Sequence, residues 1–238
     1  MSFKRTHDAV VLLPTYNERE NLPRIVPAIL EAAPVDVWIL DDNSPDGTGT
    51  LADELAARHP RVHVVHRPGK EGLGKAYLDG FRRALAAGYT RILEMDADFS
   101  HPPRYLADLL ALADTHDVVL GSRWVNGGGT ENWPLHRQVI SRAGSLYART
   151  VLGVGIKDLT GGFKCFNRRV LESIDLDSVQ STGYAFQIEM TYRALKRGFT
   201  VVETPIIFVE REQGASKMSR RIVFEAVARV PKLRAEIR

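Results

Sequence analysis

The chain has 238 residues, the length of one large domain or one domain with an appendage. Its 44% apolar and 26% charged residues exclude disordered and fibrous classes, and its one cysteine, Cys165, excludes an internal disulfide framework. The net charge of +3 is uneven: residues 211–238 hold eight Lys/Arg against three acids, and a near-neutral remainder argues against nucleic-acid binding, while the basic end points to an anionic partner.

Short apolar runs alternate with helical patterns from the start. Ala9–Leu13, bounded by Pro14, reads as a buried strand; Asn17 with Glu20 reads as a capping box, followed by Leu22, Ile25, Val26, Ile29 and Leu30 at helical spacing. Val37–Leu40 is the next strand, ended by Asp41-Asp42. Residues 51–58 are helical, 62–66 a strand, and 75–87 helical with Gly88 as its C-terminal cap. Then come a strand over 91–95, a helix over 105–114 and a strand over 117–121. Farther on, 137–152 and 185–197 read as helices, and 163–166 and 201–209 as strands. This alternation predicts an α/β fold with a mostly parallel, doubly wound sheet, whose ligands lie beyond the carboxyl ends of the strands. The last segment, 220–237, is a basic helix with an apolar stripe of Val223, Val227, Val230, Leu233 and Ile237.

The polar motifs fall at those strand ends. Asp96-Ala97-Asp98 puts two carboxylates where a strand opens into a loop, so both can meet one divalent cation, with Ser100 or His101 as a further ligand; the other reading is an acidic turn before Pro102-Pro103. Asp41 to Gly47 is rich in turn formers, and Asp42 is its candidate ligand-facing acid. Gly69 to Ala76 approaches a phosphate-binding loop, but Ala76 replaces the required hydroxyl. Arg123 ends the fifth strand, and Arg137 and Ser141 share a face of the next helix, a combination suited to phosphate. Glu210 to Lys217 reads as a mixed-charge loop that could act as a lid.

In order, Leu13 to Glu18, Asp41 to Thr48, Gly72 to Lys75, Met95 to Asp98, Gly121 to Arg123, Gly161 to Phe163, Gly183 to Gln187, and Glu210-Arg211 through Ser219 resemble a GT-A glycosyltransferase of family 2. The resemblance is to the dolichyl-phosphate (polyprenol-phosphate) mannosyltransferase type, and in particular to the soluble bacterial polyprenol monophosphomannose synthases. It implies a Rossmann-like GT-A sheet with helices on both faces over residues 1–219, with 220–238 a basic amphipathic helix. It implies transfer from GDP-mannose to a polyprenyl phosphate with Mg²⁺ or Mn²⁺. Pro14, Tyr16, Glu18, Leu40 and Asp42 would hold the guanosine, and Asp96, Ala97 and Asp98 the ribose, diphosphate and metal. Arg211 and Lys217 would close over diphosphate and sugar, Arg123 would reach both substrates, and Arg123, Arg137 and Ser141 would take the lipid phosphate. Ser100 stands where some relatives carry a Gln metal ligand.

The acceptor explains the missing base. A phosphate monoester has a second pKa of about 6 and is already a dianion near neutrality, so the site needs cations more than a proton acceptor. Asp158 and Glu189 are therefore expected to serve the acceptor site structurally. No apolar run approaches the roughly 18 residues of a membrane span, and Ala9–Leu13 is too short for a signal core. The expectation is a cytoplasmic protein, peripheral on the cytosolic membrane face, with the segment from Arg220 onward touching lipid. Rival readings are a UDP-sugar hexosyltransferase, a phosphotransferase, and a non-catalytic subunit of a glycosylation complex.

Overall fold

A computed structural model of the chain describes residues 5–210 and 220–237. Seven strands form the main sheet: β1 (Ala9–Thr15), β2 (Asp36–Asp41), β3 (Val62–His66), β4 (Arg91–Glu94), β5 (Val118–Ser122), β7 (Lys164–Asn167) and β8 (Val201–Pro205). Their order is β3-β2-β1-β4-β7-β5-β8, with β7 antiparallel to both neighbours and every other pairing parallel. From β1 the chain first winds outward through β2 and β3 and then crosses to β4 on the other side. The crevice between the ends of β1 and β4 is therefore the topological switch point, where such sheets bind ligands.

The alternation in β1 divides the core. Val11 and Leu13 face the layer of α1 (Leu22–Ala32), α2 (Thr48–Arg58) and α4 (Leu106–Ala113). Val10 and Leu12 face the layer of α3 (Leu73–Ala86), α5 (Leu135–Leu152), α6 (Arg168–Ser173), α7 (Gly183–Lys196) and α8 (Arg220–Glu236). A sheet buried on both faces accounts for the continuous apolar runs. On the second face α3 comes so close that a Cβ on Gly80 would sit 2.8 Å from Leu12 and Leu40 Cδ1.

Several expectations are corrected. Asn17 does not cap a helix: it sits in a turn at φ +58°, and α1 begins at Leu22, where the backbone carbonyl of Glu18 takes the first N–H groups. Gly88 takes the left-handed position after α3, as expected, and Tyr89 N–H closes back on Ala84. The stretch 201–209 is two strands: β8 stays in the main sheet, while β9 (Ile207–Val209) leaves it to pair with β6 (Gly129–Glu131). The stripe on α8 does not face outward along its length. Val230, Leu233 and Ile237 are buried against α5 and α7, so this half of the helix belongs to the core of the fold.

Candidate active site

The parallel strands deliver Thr15, Asp41, His66, Glu94 and Ser122 to one edge of the sheet, and the residues just beyond them build the site. After β4 the chain turns through Phe99, held at φ +62°, so that Asp98 Oδ1 accepts the Ser100 N–H at 3.1 Å. A bulky residue with positive φ is strained, and such strain collects at functional sites. Asp98 is buried and Asp96 half-buried; the buried Ser100 hydroxyl has no partner among the described residues. Two carboxylates and an unpaired hydroxyl are hard oxygen donors suited to Mg²⁺ or Mn²⁺. Among the described residues no group of three His, Cys, Asp or Glu side chains is arranged to hold a metal by itself, so substrate or water oxygens would have to complete the shell.

His101 braces this turn. Its Nδ1 accepts the Asp96 N–H at 3.1 Å, which leaves the ring proton on Nε2. Burial pushes its pKa down to about 4, so the ring is neutral. It stacks on Phe163 at 5.0 Å and meets the edge of Phe208 at 5.3 Å.

Beyond β1 and β2 lies a second group. Asp41 makes the turn itself, accepting from Ser44 Oγ at 2.6 Å and Thr15 Oγ1 at 3.2 Å. Asp42 is paired with Arg67, a buried cation just past β3; burial raises the Asp42 pKa against the pull of that guanidinium. Tyr16 carries Lys70 Nζ 4.2 Å above its ring, and Glu18 Oε2 accepts from Asn21 at 2.8 Å. Leu40 is different: its side chain is fully buried in the core under α3, so only its backbone can serve a ligand. Pro14 pairs with Leu40 near the end of β1, and Ala97 is buried between the two acids.

The third group stands at the end of β5. Arg123 is buried, with Nε and Nη2 on the carboxylate of Asp158 and Nη2 also on Thr160 Oγ1 at 3.0 Å. Burial would raise the Asp158 pKa, but Arg123 overrides it and holds the carboxyl below its usual range. Glu203 on β8 in turn accepts the N–H groups of Lys157 and Asp158, fixing that loop. Arg137 stacks 4.0 Å above Trp133 and pairs with Glu210; Arg123 lies 5.5 Å from the same ring. Both guanidinium groups thus share one indole. Phe208 lies 5.1 Å from Trp133 and bridges this group to His101.

From these arginines a groove open to solvent runs between α5, α7 and α8. Its walls are mainly apolar: Ile140, Tyr147, Ala148, Ile188, Val227 and Val230, with Ser141 on the α5 side. Lining residues from Arg137 to Ala148 follow α5 for about 16 Å, with Arg137 at the N-terminal end.

Asp158 and Glu189 are both committed. Glu189 is buried and takes Ser181 Oγ and Arg193 Nε and Nη2, the nitrogens at 2.8 and 2.6 Å, which leaves it a structural tie within the α7 layer. Lys75 reaches Glu71 at 3.3 Å, at the side of α3, and Ala76 is buried. That is not a phosphate cradle. Arg211 and Lys217 lie outside the described residues. Arg67, Trp133, Thr160 and Phe208 are additional site residues. Trp133-Pro134 just ahead of a basic helix was the available signal for one of them; the others have no local signature.

This doubly wound sheet, with β7 antiparallel and a carboxylate pair beyond the switch point, is the GT-A fold of glycosyltransferases. The chain belongs to glycosyl transferase family 2, whose model matches residues 10–175. It is 53% identical over 228 residues to the polyprenol monophosphomannose synthase of Mycolicibacterium smegmatis, covering 94% of this chain and 86% of the relative. It is 51% identical over 222 residues to the undecaprenyl-phosphate mannosyltransferase of Micrococcus luteus, covering 93% and 91%. Glucosyl-3-phosphoglycerate synthase from Mycobacterium tuberculosis, solved with Mn²⁺, UDP and glucosyl-3-phosphoglycerate, superposes with a TM-score of 0.66 over 98% of this chain and 81% of that one, at 19% identity.

Proposed function

We propose that this glycosyltransferase moves mannose from GDP-mannose to a polyprenyl phosphate, with inversion at the anomeric carbon, at the surface of a membrane. The observation that carries the reading is the groove: two arginines on one indole at its end, and an apolar channel leading away. Such a site is complementary to an anion with an apolar tail. Two relatives that match almost the whole chain are named for mannosyl transfer to polyprenol and undecaprenyl phosphate, which supports the same acceptor class here.

In this reading the donor lies across the ends of β1, β2 and β4. Tyr16, Glu18 and Asp42 hold the guanosine, with the Pro14 and Leu40 backbone beneath it. Asp96, Ala97 and Asp98 hold the ribose and diphosphate; Arg211 and Lys217, outside the described residues, are assigned to diphosphate and sugar by the family resemblance alone. Asp96, Asp98 and Ser100 would hold a divalent cation, which would supply positive charge to the departing diphosphate. Arg123 and Arg137, with Ser141, aim the acceptor phosphate at the sugar. A dianionic phosphate oxygen forms the new bond to the anomeric carbon as the bond to GDP breaks on the opposite face. The acceptor brings no proton that must be removed, in keeping with Asp158 and Glu189 both being engaged by arginine.

The test is a transfer assay on polyprenyl phosphate with GDP-mannose, UDP-glucose and UDP-N-acetylglucosamine, each with and without Mn²⁺. Transfer is expected from GDP-mannose and to depend on the metal. Preference for a UDP-sugar would replace the donor, and no transfer from any donor would overturn the acceptor.

A further inference from the structure

Six large apolar side chains are exposed among the described residues, and five of them gather around one helix. Leu135, Val139 and Leu146 on α5 are 75%, 57% and 54% exposed. At 100° per residue these positions fall within about 40° of one line along the helix, on the side away from Ser141, Ser145 and Ala148. Ile140 and Val227 carry the exposed apolar surface round to the mouth of the groove. An outward apolar stripe on a helix whose opposite side already packs on the core is not explained by folding.

We propose that this outer face of α5 is the surface on which the protein rests on an anionic bilayer. The proposal rests on the lipid-phosphate acceptor argued above, and charge selects the occupant. The sequence of α5, LHRQVISRAGSLYARTVL, contains three arginines and no acid. Arg142 and Arg149 project beside the stripe, and the Arg142 guanidinium lies 4.6 Å over the Trp124 ring. Apolar side chains flanked by arginine and an indole match the boundary between acyl chains and phosphate headgroups. A second copy is disfavoured, because pairing two such helices would bring their arginines together without a counter-charge. The position also fits the substrate. With the outer face of α5 on the headgroups, Ile140 and Val227 bring the mouth of the groove to the edge of the contact, where a lipid tail can enter it while its phosphate reaches Arg137. This assigns the contact to α5, where the sequence pointed to the segment from Arg220 onward; there Val230, Leu233 and Ile237 are buried.

The test compares the full chain with the double variant Val139→Glu, Leu146→Glu, neither residue lining the groove. Cosedimentation with vesicles of equal parts phosphatidylcholine and phosphatidylglycerol is expected to fall at least tenfold in the variant. Circular dichroism and GDP-mannose affinity by calorimetry are expected to stay unchanged. Transfer to a short, water-soluble prenyl phosphate is expected to persist, while transfer to long polyprenyl phosphate in vesicles falls at least tenfold. Unchanged vesicle binding in the variant overturns the proposal. So does a dimer of the parent chain that the variant dissociates without any vesicle effect. So does binding lost in Lys232→Glu and retained in the α5 variant, which would return the contact to α8. If the parent chain fails on the short acceptor yet sediments through α5, the acceptor reading falls and the membrane surface stands.

Discussion

Arg123 and Asp158 hold each other through three bonds: Arg123 Nε and Nη2 reach the two carboxylate oxygens at 2.7 Å each, and the Arg123 backbone N–H adds a third at 2.9 Å. Both side chains are buried, so the pair fixes where one guanidinium stands rather than merely balancing charge. Removing one partner of a buried pair typically costs about 3–5 kcal/mol, because the other is left uncompensated. Asp158→Ala is expected to lose stability on that scale in urea denaturation and to raise the KM for lipid phosphate more than that for the nucleotide sugar. Asp158→Asn, which keeps the acceptor oxygen for the backbone N–H, is expected to lose less stability.

Arg137 is the cleaner probe of the acceptor, since its partner Glu210 is half-exposed while the partner of Arg123 is fully buried. A charge-assisted phosphate contact contributes about 1.5–3 kcal/mol, so Arg137→Ala is expected to lower kcat/KM for polyprenyl phosphate roughly 10- to 100-fold or more. GDP-mannose affinity in calorimetry is expected to hold. An equal loss on both substrates would move Arg137 to the donor side.

Asp98→Asn keeps the side-chain oxygen that accepts the Ser100 N–H, so the turn and the fold are expected to survive. Metal-dependent transfer is expected to fall nearly to background. Turnover that remains fully Mn²⁺-dependent in this variant would place the metal elsewhere.

Gly128 has no side chain for a reason that concerns Arg123. A Cβ there would lie 2.5 Å from the Ser122 carbonyl oxygen and 3.1 Å from the Arg123 carbonyl, and backbone cannot yield as a side chain can. Gly128→Ala is expected to displace the end of β5, costing about 1–3 kcal/mol of stability and most of the acceptor activity. Wild-type stability and kinetics in this variant would mean that the loop shifts freely.

Asp117 provides a pH test away from the site. Burial opposes its ionisation, but hydrogen bonds from Thr200 N–H and Oγ1, at 2.9 and 2.8 Å, and the Arg169 guanidinium hold its pKa below the usual carboxylate range. A pKa lower in the folded than the unfolded state contributes stability above the unfolded value and loses it as pH falls through the folded one. Asp117→Asn is therefore expected to be less stable at pH 6 and to lose stability less steeply on acidification. Equal slopes for both proteins in urea midpoints from pH 6 to 3 would contradict the assignment.

The sequence alone determined the order of strands and helices and the line of strand-end motifs, because both are local. An apolar run closed by Asp41-Asp42 or by Asp96-Ala97-Asp98 announces a strand and its end without reference to the rest of the chain. The family resemblance carried by those motifs agrees with the family model and with the fold. Only the tertiary structure decided what meets across long separations. Arg123 finds Asp158, 35 residues on, and β7 enters antiparallel between β4 and β5. Phe208 leaves the main sheet on β9 to touch both His101 and Trp133. The two helices that carry apolar stripes make the reason plain. A stripe states that a face is to be covered but not by what; packing on α5 and α7 buried Val230, Leu233 and Ile237 of α8, while Leu135, Val139 and Leu146 stay exposed among the described residues.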